Sequence, residues 1–392
     1  MPFPADTPPP AAGEPSAAAT RQLYSLPPDA AGHVHTVTVF RYGTPGARPK
    51  AHLQAGLHAD EFPGMLALYF LRRLLDEAAA RGRLRGEILI LPQANPIGLT
   101  QWRQGFLLGR AETASGGNFN RGYPDLAALA SRILAGRLDG DAAANVARIR
   151  AAMAEALAAM RPATALDGLR HRLLTLAHDA DLVLDLHADN QAQRHMYVGT
   201  PLWPQMRDIA AEIDARAVLL ADISGGNPFD EACSLPWQDL ARRFPDAAIP
   251  PACAAATLEL GSNDDVDLGM AQDQAAALYR ILERRGLIDR PDAPDPLPRL
   301  SCDATPLAAM QQVKAPIAGL VAYRARLGDQ VRTGDVVATV IDPLGQSIDV
   351  LAATDGLFFA RHSQTCAWPG KIIGKIAGKI PLADRTGHLL TD

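Results

Sequence analysis

The chain has 392 residues, 48% of them hydrophobic and 21% charged, which is typical of a folded globular protein with more than one domain. Its 38 basic and 43 acidic residues give a net charge of −5. This mild acidity argues against nucleic acid or an anionic membrane as the main partner, because both require a concentrated basic surface.

Three further features of the sequence indicate the cellular compartment of the protein. It contains no uncharged apolar run of about 18 residues, the length needed to span a bilayer. Its first residues lack the basic and apolar regions of a secretory signal. The four cysteines include no CxxC pair, which excludes a disulfide scaffold and a cysteine zinc knuckle. We therefore expect a cytoplasmic protein.

The chain begins with residues 1–20, which are mostly Pro, Ala, Ser and Thr and are predicted to be disordered. From residue 21 to 288, short aliphatic runs alternate with helix-length stretches, which predicts an α/β domain with a largely parallel or mixed sheet. Several runs are apolar almost throughout, as expected when helices cover both sheet faces. The predicted strands are residues 34–40, 51–56, 87–92, 181–186, 217–221 and 256–260, and the predicted helices are residues 62–81, 126–160, 202–216 and 267–285.

A proline-rich segment separates this region from the C-terminal part. Four prolines lie between residues 289 and 298, so residues 289–300 are predicted to form a linker. Residues 301–392 then show short β runs broken by glycines, which predicts a small all-β domain.

Histidine and glutamate residues follow the ends of two predicted strands. His58 and Glu61 lie in a strand-to-helix turn, and His187 follows a buried strand. Open α/β sheets place their sites at the carboxyl ends of strands, so these side chains can converge. Imidazole and carboxylate are ligands of catalytic zinc, which leaves one position for water. Glu259 lies inside another apolar strand and should face a charged or wet pocket.

Each of these residues also has a plain structural explanation. A single histidine at a strand end is often only hydrogen-bonded, and an HxxE spacing occurs by chance in many chains. Glu259 could simply pair with a lysine or arginine. Their joint occurrence in one α/β domain favours a metal site.

The order of these residues resembles the zinc carboxypeptidase pattern and, more narrowly, the succinylglutamate desuccinylase/aspartoacylase family. Two further motifs carry the resemblance, an Asn-Pro turn at Asn95 and the segment Asn118-x-Asn120-Arg121, where Asn118 replaces the family's usual acid. The resemblance covers about residues 34–285. It implies a zinc carboxypeptidase-like mixed β-sheet with helices on both faces.

The resemblance also implies a metal site. One zinc ion per chain would be bound by His58, Glu61 and His187. Asp185 and Asp60 are candidates for fixing a histidine tautomer from behind the ligands. For Asp60, a solvated surface position is an equally good explanation.

The same resemblance implies roles for the residues around the metal. Glu259 matches the general base, and Asn120 with Arg121 matches the pair that binds a substrate carboxylate, because a guanidinium can hold two oxygens. A further arginine should neutralise the oxyanion. The sequence leaves two choices open, Arg110 first and Arg103 second.

Two other segments have open roles. The glycine-rich segment 224–231, with Asp230 and Glu231, either lines the pocket or forms a surface turn. The C-terminal domain resembles a biotinyl/lipoyl-like barrel, but the turn at residues 341–345 has no lysine to modify, so a carrier role is not expected. Its expected role is a pocket rim or a subunit contact, the latter in a homo-oligomer.

These features together predict a zinc-dependent amidohydrolase that removes the acyl group of an N-acyl amino acid or a similar small carboxylated amide. A zinc carboxypeptidase acting on peptide C-termini is the nearest alternative. A non-catalytic small-molecule-binding protein is the alternative from another class. The sequence does not specify the acyl group, the amine or the oligomeric state.

Overall fold

The computed structural model describes residues 19–29, 31–290 and 295–390. The segment predicted to be disordered thus lies outside the described residues, except for its last two, and Thr20 already begins a strand. Residues 291–294 of the predicted linker also lie outside them. No described helix is long and apolar enough to cross a membrane.

Strands and helices alternate through the larger part of the chain. In chain order they are β1 (Thr20–Ser25), β2 (Thr36–Tyr42), β3 (Lys50–Ala55), α1 (Pro63–Ala80), β4 (Glu87–Leu91), β5 (Trp102–Arg103), β6 (Phe106–Leu107), α2 (Leu126–Leu134), α3 (Ala142–Ala159), α4 (Ala165–Ala177), β7 (Leu182–Asp189), β8 (Gln191–Ala192), β9 (His195–Gly199), α5 (Trp203–Glu212), β10 (Ala217–Ala221), α6 (Phe229–Arg243), β11 (Ala254–Ser262), α7 (Leu268–Arg284) and β12 (Ala304–Pro306).

Nine of these strands form one mixed sheet in the order β1-β2-β4-β3-β7-β11-β9-β10-β12. The strands β3, β7 and β11 are neighbours and run parallel, so their carboxyl ends lie side by side. Helices α1, α5 and α7 pack on one face of the sheet, and α2, α3, α4 and α6 pack on the other. This confirms the predicted α/β class with a mixed sheet and helices on both faces.

The prediction of one helical stretch over residues 126–160 is wrong, because the chain forms two helices there. Gly136 has a φ of +70° and breaks the helical path after α2. Asp141 then caps α3 by accepting a hydrogen bond from the backbone N–H of Ala144. The segment 224–231 is likewise not a loop throughout, since Phe229 already begins α6.

Strands β5 and β6 form a small hairpin, and the strands of the C-terminal part form two antiparallel sheets around a separate apolar core. The strand β12 precedes them and pairs with β10 of the large sheet. The strand β8 from the larger part pairs with β18, so each part of the chain contributes one strand to a sheet of the other. The strands are β13 (Met310–Lys314), β14 (Gly319–Tyr323), β15 (Gln330–Val331), β16 (Val336–Ile341), β17 (Ser347–Leu351), β18 (Gly356–Arg361), β19 (Cys366–Ala367) and β20 (Ile372–Gly378).

Candidate active site

Two histidines and a glutamate meet where β3 and β7 end. His58 and Glu61 lie in the turn between β3 and α1, and His187 lies near the end of β7. The Glu61 carboxylate joins the two rings, with Oε1 2.9 Å from Nδ1 of His58 and Oε2 2.7 Å from Nδ1 of His187. All three residues are buried, and one ligand atom from each lies within 4.8 Å of the others.

The outer nitrogens of both rings also have partners. Nε2 of His58 lies 3.0 Å from Oδ1 of Asn118, and Nε2 of His187 lies 3.0 Å from Oδ2 of Asp185. Both Nδ1 atoms face the Glu61 carboxylate, so a metal held by these three groups would take the place of the present hydrogen bonds, while the contacts behind each ring set its orientation. On Nε2 of His187 the hydrogen bond is with Nδ2 of Asn120, since Oδ2 of Asp185 forms none with a described residue. Two imidazoles and one carboxylate therefore fit a catalytic zinc site with an open position.

The structure distinguishes the two aspartates considered behind the ligands. Asp185 faces His187, whereas the described hydrogen bonds and ion pairs of the two histidines do not include Asp60. Burial raises the pKa of Asp60 to about 6. The contact of His58 with Asn118 was not predicted. The sequence indicated only that Asn118 replaces the acidic residue that is usual in the family.

Glu259 lies beside His187, to which it is the register partner across the parallel pair β11 and β7. Its side chain lines a cavity of about 540 Å³, and Oε2 has no hydrogen-bond partner among the described residues. Burial, and then the charge of Glu61, raise the pKa of the Glu259 carboxyl to about 8. A carboxylate in this position can accept a proton from a group in the cavity.

The predicted arginines occupy different places. Arg110 lines the cavity, with Nη1 3.8 Å from Oε1 of Glu61 and its side chain half exposed. Arg121 also lines the cavity and donates from Nη1 to the backbone oxygen of Asn120, at 2.7 Å. Arg103 lies on the exposed β5–β6 hairpin and is not among the residues that line the cavity.

Asn120 is held from two sides. Its Oδ1 accepts a hydrogen bond from the backbone N–H of Phe229, the first residue of α6, and its Nδ2 lies 3.3 Å from Nε2 of His187. The loop before α6 packs on the neighbouring Arg121, since a Cβ at Gly226 would lie only 2.5 Å from Cδ of Arg121. The loop thus fixes the segment that carries both predicted substrate-binding residues.

The first turn of α6 places two acids at the cavity. Asp230 and Glu231 both line it, and burial raises the pKa of Asp230 to about 6 and that of Glu231 to about 7. Oε1 of Glu231 accepts a hydrogen bond from the backbone N–H of Ser224. The segment is therefore part of the pocket wall.

The C-terminal part supplies some of the residues that line the cavity. Lys375 on β20 forms an ion pair with Asp189, two residues after His187. Although burial disfavours the charged carboxylate, the ammonium of Lys375 lowers the pKa of Asp189 to about 2. The wall residues from this part include Gln312, Arg361, His362, Trp368, Lys371 and Lys375.

Comparison with known proteins agrees with this geometry. The model of the succinylglutamate desuccinylase/aspartoacylase catalytic domain matches residues 47–284. A protein from Shewanella amazonensis assigned to that family has 27% sequence identity and a TM-score of 0.78, covering 91% of this chain and 98% of its own. One from Shewanella frigidimarina has 24% identity and a TM-score of 0.80, covering 92% and 97%.

A more distant structure has the same fold. The ectoine utilization protein EutE (DoeB) from Ruegeria pomeroyi, solved with product bound, has 18% identity and a TM-score of 0.63, covering 92% of this chain and 96% of its own. No curated protein of similar sequence was found.

Proposed function

Because this chain belongs to the succinylglutamate desuccinylase/aspartoacylase family, we propose that it is a zinc-dependent amidohydrolase that removes the acyl group of an N-acyl amino acid or similar small carboxylated amide. The observation that carries the proposal is the convergence of His58, Glu61 and His187, with Glu259 beside them on the same cavity. These three ligands would hold the metal.

Zinc bound there would supply an electrophile that polarises a carbonyl and acidifies water. Glu259 faces the same space with a carboxylate oxygen that no described residue hydrogen-bonds, and in the proposed reaction it accepts a proton from the attacking water. It then returns that proton to the departing amine nitrogen as the amide C–N bond breaks. Water is thereby divided between the released acid and the released amine.

The two arginines on the cavity have separate proposed tasks. Arg110 lies close enough to the ligand cluster for its guanidinium to stabilise negative charge that develops on the carbonyl oxygen. Arg121 also lines the cavity, and in the proposed reaction its guanidinium binds a substrate carboxylate and holds the scissile bond over the metal ligands.

The shape of the cavity supports a small substrate over a peptide. Its volume of about 540 Å³ lies within the range of about 300–1,000 Å³ that is typical of small-molecule sites. Side chains from the C-terminal part, such as Lys375, form part of its wall. A peptide substrate would need room for the rest of its chain beside its C-terminal residue.

The direct test is a hydrolysis screen over N-acetyl, N-succinyl and N-formyl amino acids, with free amine as the readout. We expect at least one class to be cleaved, activity to be lost with chelator, and zinc to restore it. A panel of dipeptides and tripeptides, run in parallel, tests the carboxypeptidase alternative.

Two outcomes would contradict the proposal. Protein that holds stoichiometric zinc and cleaves none of these amides is not the deacylase proposed here. Protein that cleaves them equally well after complete zinc removal does not use the metal. Glu259→Gln is the matched inactive control, because it preserves side-chain size in the same cavity.

A further inference from the structure

A line of buried polar side chains runs from the candidate metal ligands into the core of the sheet. It consists of His52 and Gln54 on β3 and Asp185 on β7, none of which has solvent-exposed surface. Gln54 is the register partner of Asp185 across the parallel pair. Nε2 of His52 lies 3.0 Å from Oε1 of Gln54, and Nε2 of Gln54 donates to Oδ1 of Asp185 at 3.0 Å.

The chemistry of these groups determines which of them donates and which accepts in each hydrogen bond. A carboxylate can only accept hydrogen bonds, so the Gln54 amide must point its nitrogen at Asp185 and its oxygen at His52. His52 must then donate from Nε2 as a neutral ring, and burial lowers its pKa to about 4. Nδ1 of His52 has no hydrogen-bond partner within the described part of the chain, which agrees with this tautomer. All donors in the line therefore point towards Asp185.

Two groups compete for the outer nitrogen of His187. Oδ2 of Asp185 lies 3.0 Å from Nε2, at ion-pair distance but without a hydrogen bond in this structure, and as a carboxylate oxygen it can bond only a protonated nitrogen. Nδ2 of Asn120 lies 3.3 Å from the same nitrogen and, as a donor, can bond only an unprotonated one. A metal at Nδ1 of His187 requires the proton on Nε2. Asp185 is therefore the neighbour of Nε2 that favours metal binding at Nδ1, and Asn120 is the one that opposes it.

We propose that Gln54, supported by His52, is a positioning residue for the metal site: its amide holds the Asp185 carboxylate behind the ring of His187, and this fixes the ring with Nδ1 towards the metal. The inference rests on the proposed function only in requiring a metal at His58, Glu61 and His187. A burial role without positioning predicts a loss of stability when Gln54 is changed, with the metal affinity unchanged.

The test compares Gln54→Met with Gln274→Met. Gln274 is a matched control, because it is also buried and donates one hydrogen bond, to the backbone oxygen of Leu260, outside this line. Zinc affinity is measured by competition with a chelator, and the thermal unfolding of the metal-free proteins is measured beside it. We expect about a 10–100-fold weaker zinc affinity for Gln54→Met and wild-type affinity for the control.

A second pair of variants covers the case in which Gln54→Met fails to fold. His52→Gln keeps a donor near the position of Nε2, whereas His52→Leu removes it. We expect zinc affinity to fall in His52→Leu and to be largely restored in His52→Gln. The absorption bands of the cobalt-substituted proteins should shift in Gln54→Met and His52→Leu, because the geometry at His187 changes.

The outcomes separate this inference from the proposed function. Equal zinc affinity in Gln54→Met and Gln274→Met, or in the two His52 variants, would overturn the positioning role. Wild-type protein that binds zinc but hydrolyses no amide would refute the proposed deacylase function. The comparison of zinc affinities would then still decide the positioning role. Wild-type protein that binds no zinc would overturn both.

Discussion

The replacement Glu259→Gln separates a general base from a metal ligand. Oε2 of Glu259 has no hydrogen-bond partner among the residues that the structure describes. Replacing the carboxylate with the neutral amide of glutamine therefore removes no hydrogen bond from that atom. The raised pKa of this carboxyl, about 8, means that its charge is disfavoured in the metal-free fold. We therefore expect the Glu259→Gln protein to unfold at a temperature no lower than wild type at neutral pH, and to keep its zinc.

The expected effect on turnover is large. Removing a general acid–base group costs about 10²–10⁴-fold in rate, which is about 3–5 kcal/mol of barrier. The assay is steady-state hydrolysis of the best amide from the screen, with zinc counted by elemental analysis on the same sample. Full activity with full zinc would refute the base assignment, and loss of zinc would make Glu259 a ligand or a support of one.

Three other predictions follow from the same geometry. Arg110→Ala should lower kcat by about 10²–10³-fold, as loss of an oxyanion donor does, whereas Arg103→Ala on the exposed hairpin should leave kcat unchanged; equal effects in steady-state assays would contradict this. Arg121→Ala should raise KM more than it lowers kcat, and a methyl ester of the substrate should react poorly with wild type; an ester that reacts as well as the acid would exclude a carboxylate clamp. Because the pKa of His52 is lowered to about 4 from an ordinary value of 6.5, its contribution to stability is present above pH 6.5 and lost as the pH falls towards 4. Wild type should therefore lose more free energy of unfolding than His52→Gln between pH 7 and 5, as measured by urea titration of the metal-free proteins, and parallel losses would contradict this.

The set of candidate metal ligands is the part of the site that local sequence predicts best. His58 and Glu61 are three residues apart, and His187 ends a clear aliphatic run, so strand assignment and ligand chemistry suffice. The parallel pairing of β3 with β7 then brings them together. Glu259 stood out as a carboxylate inside an apolar strand, and the resemblance supplied only its role as base; its position beside His187 depends on strand register.

Other features depended on signals that were overlooked or are not local. Asp141 is a visible N-cap, and with Gly136 it could have divided the stretch 126–160 into two helices. The helix α6 is not among the predicted helices, and it contains Pro236, a residue type that normally argues against a helix interior. The pairing of Lys375 with Asp189 joins residues 186 positions apart, and no local period encodes such a contact.

The sequence order of the site residues has a consequence for biosynthesis. The last of the three candidate metal ligands, His187, is synthesised 188 residues before Lys375, which lines the same cavity. At about 5–20 residues per second, this interval lasts about 10–40 s. All three candidate ligands are therefore synthesised well before the C-terminal residues that line the same cavity. The pairing of β18 with β8 can form only after this interval.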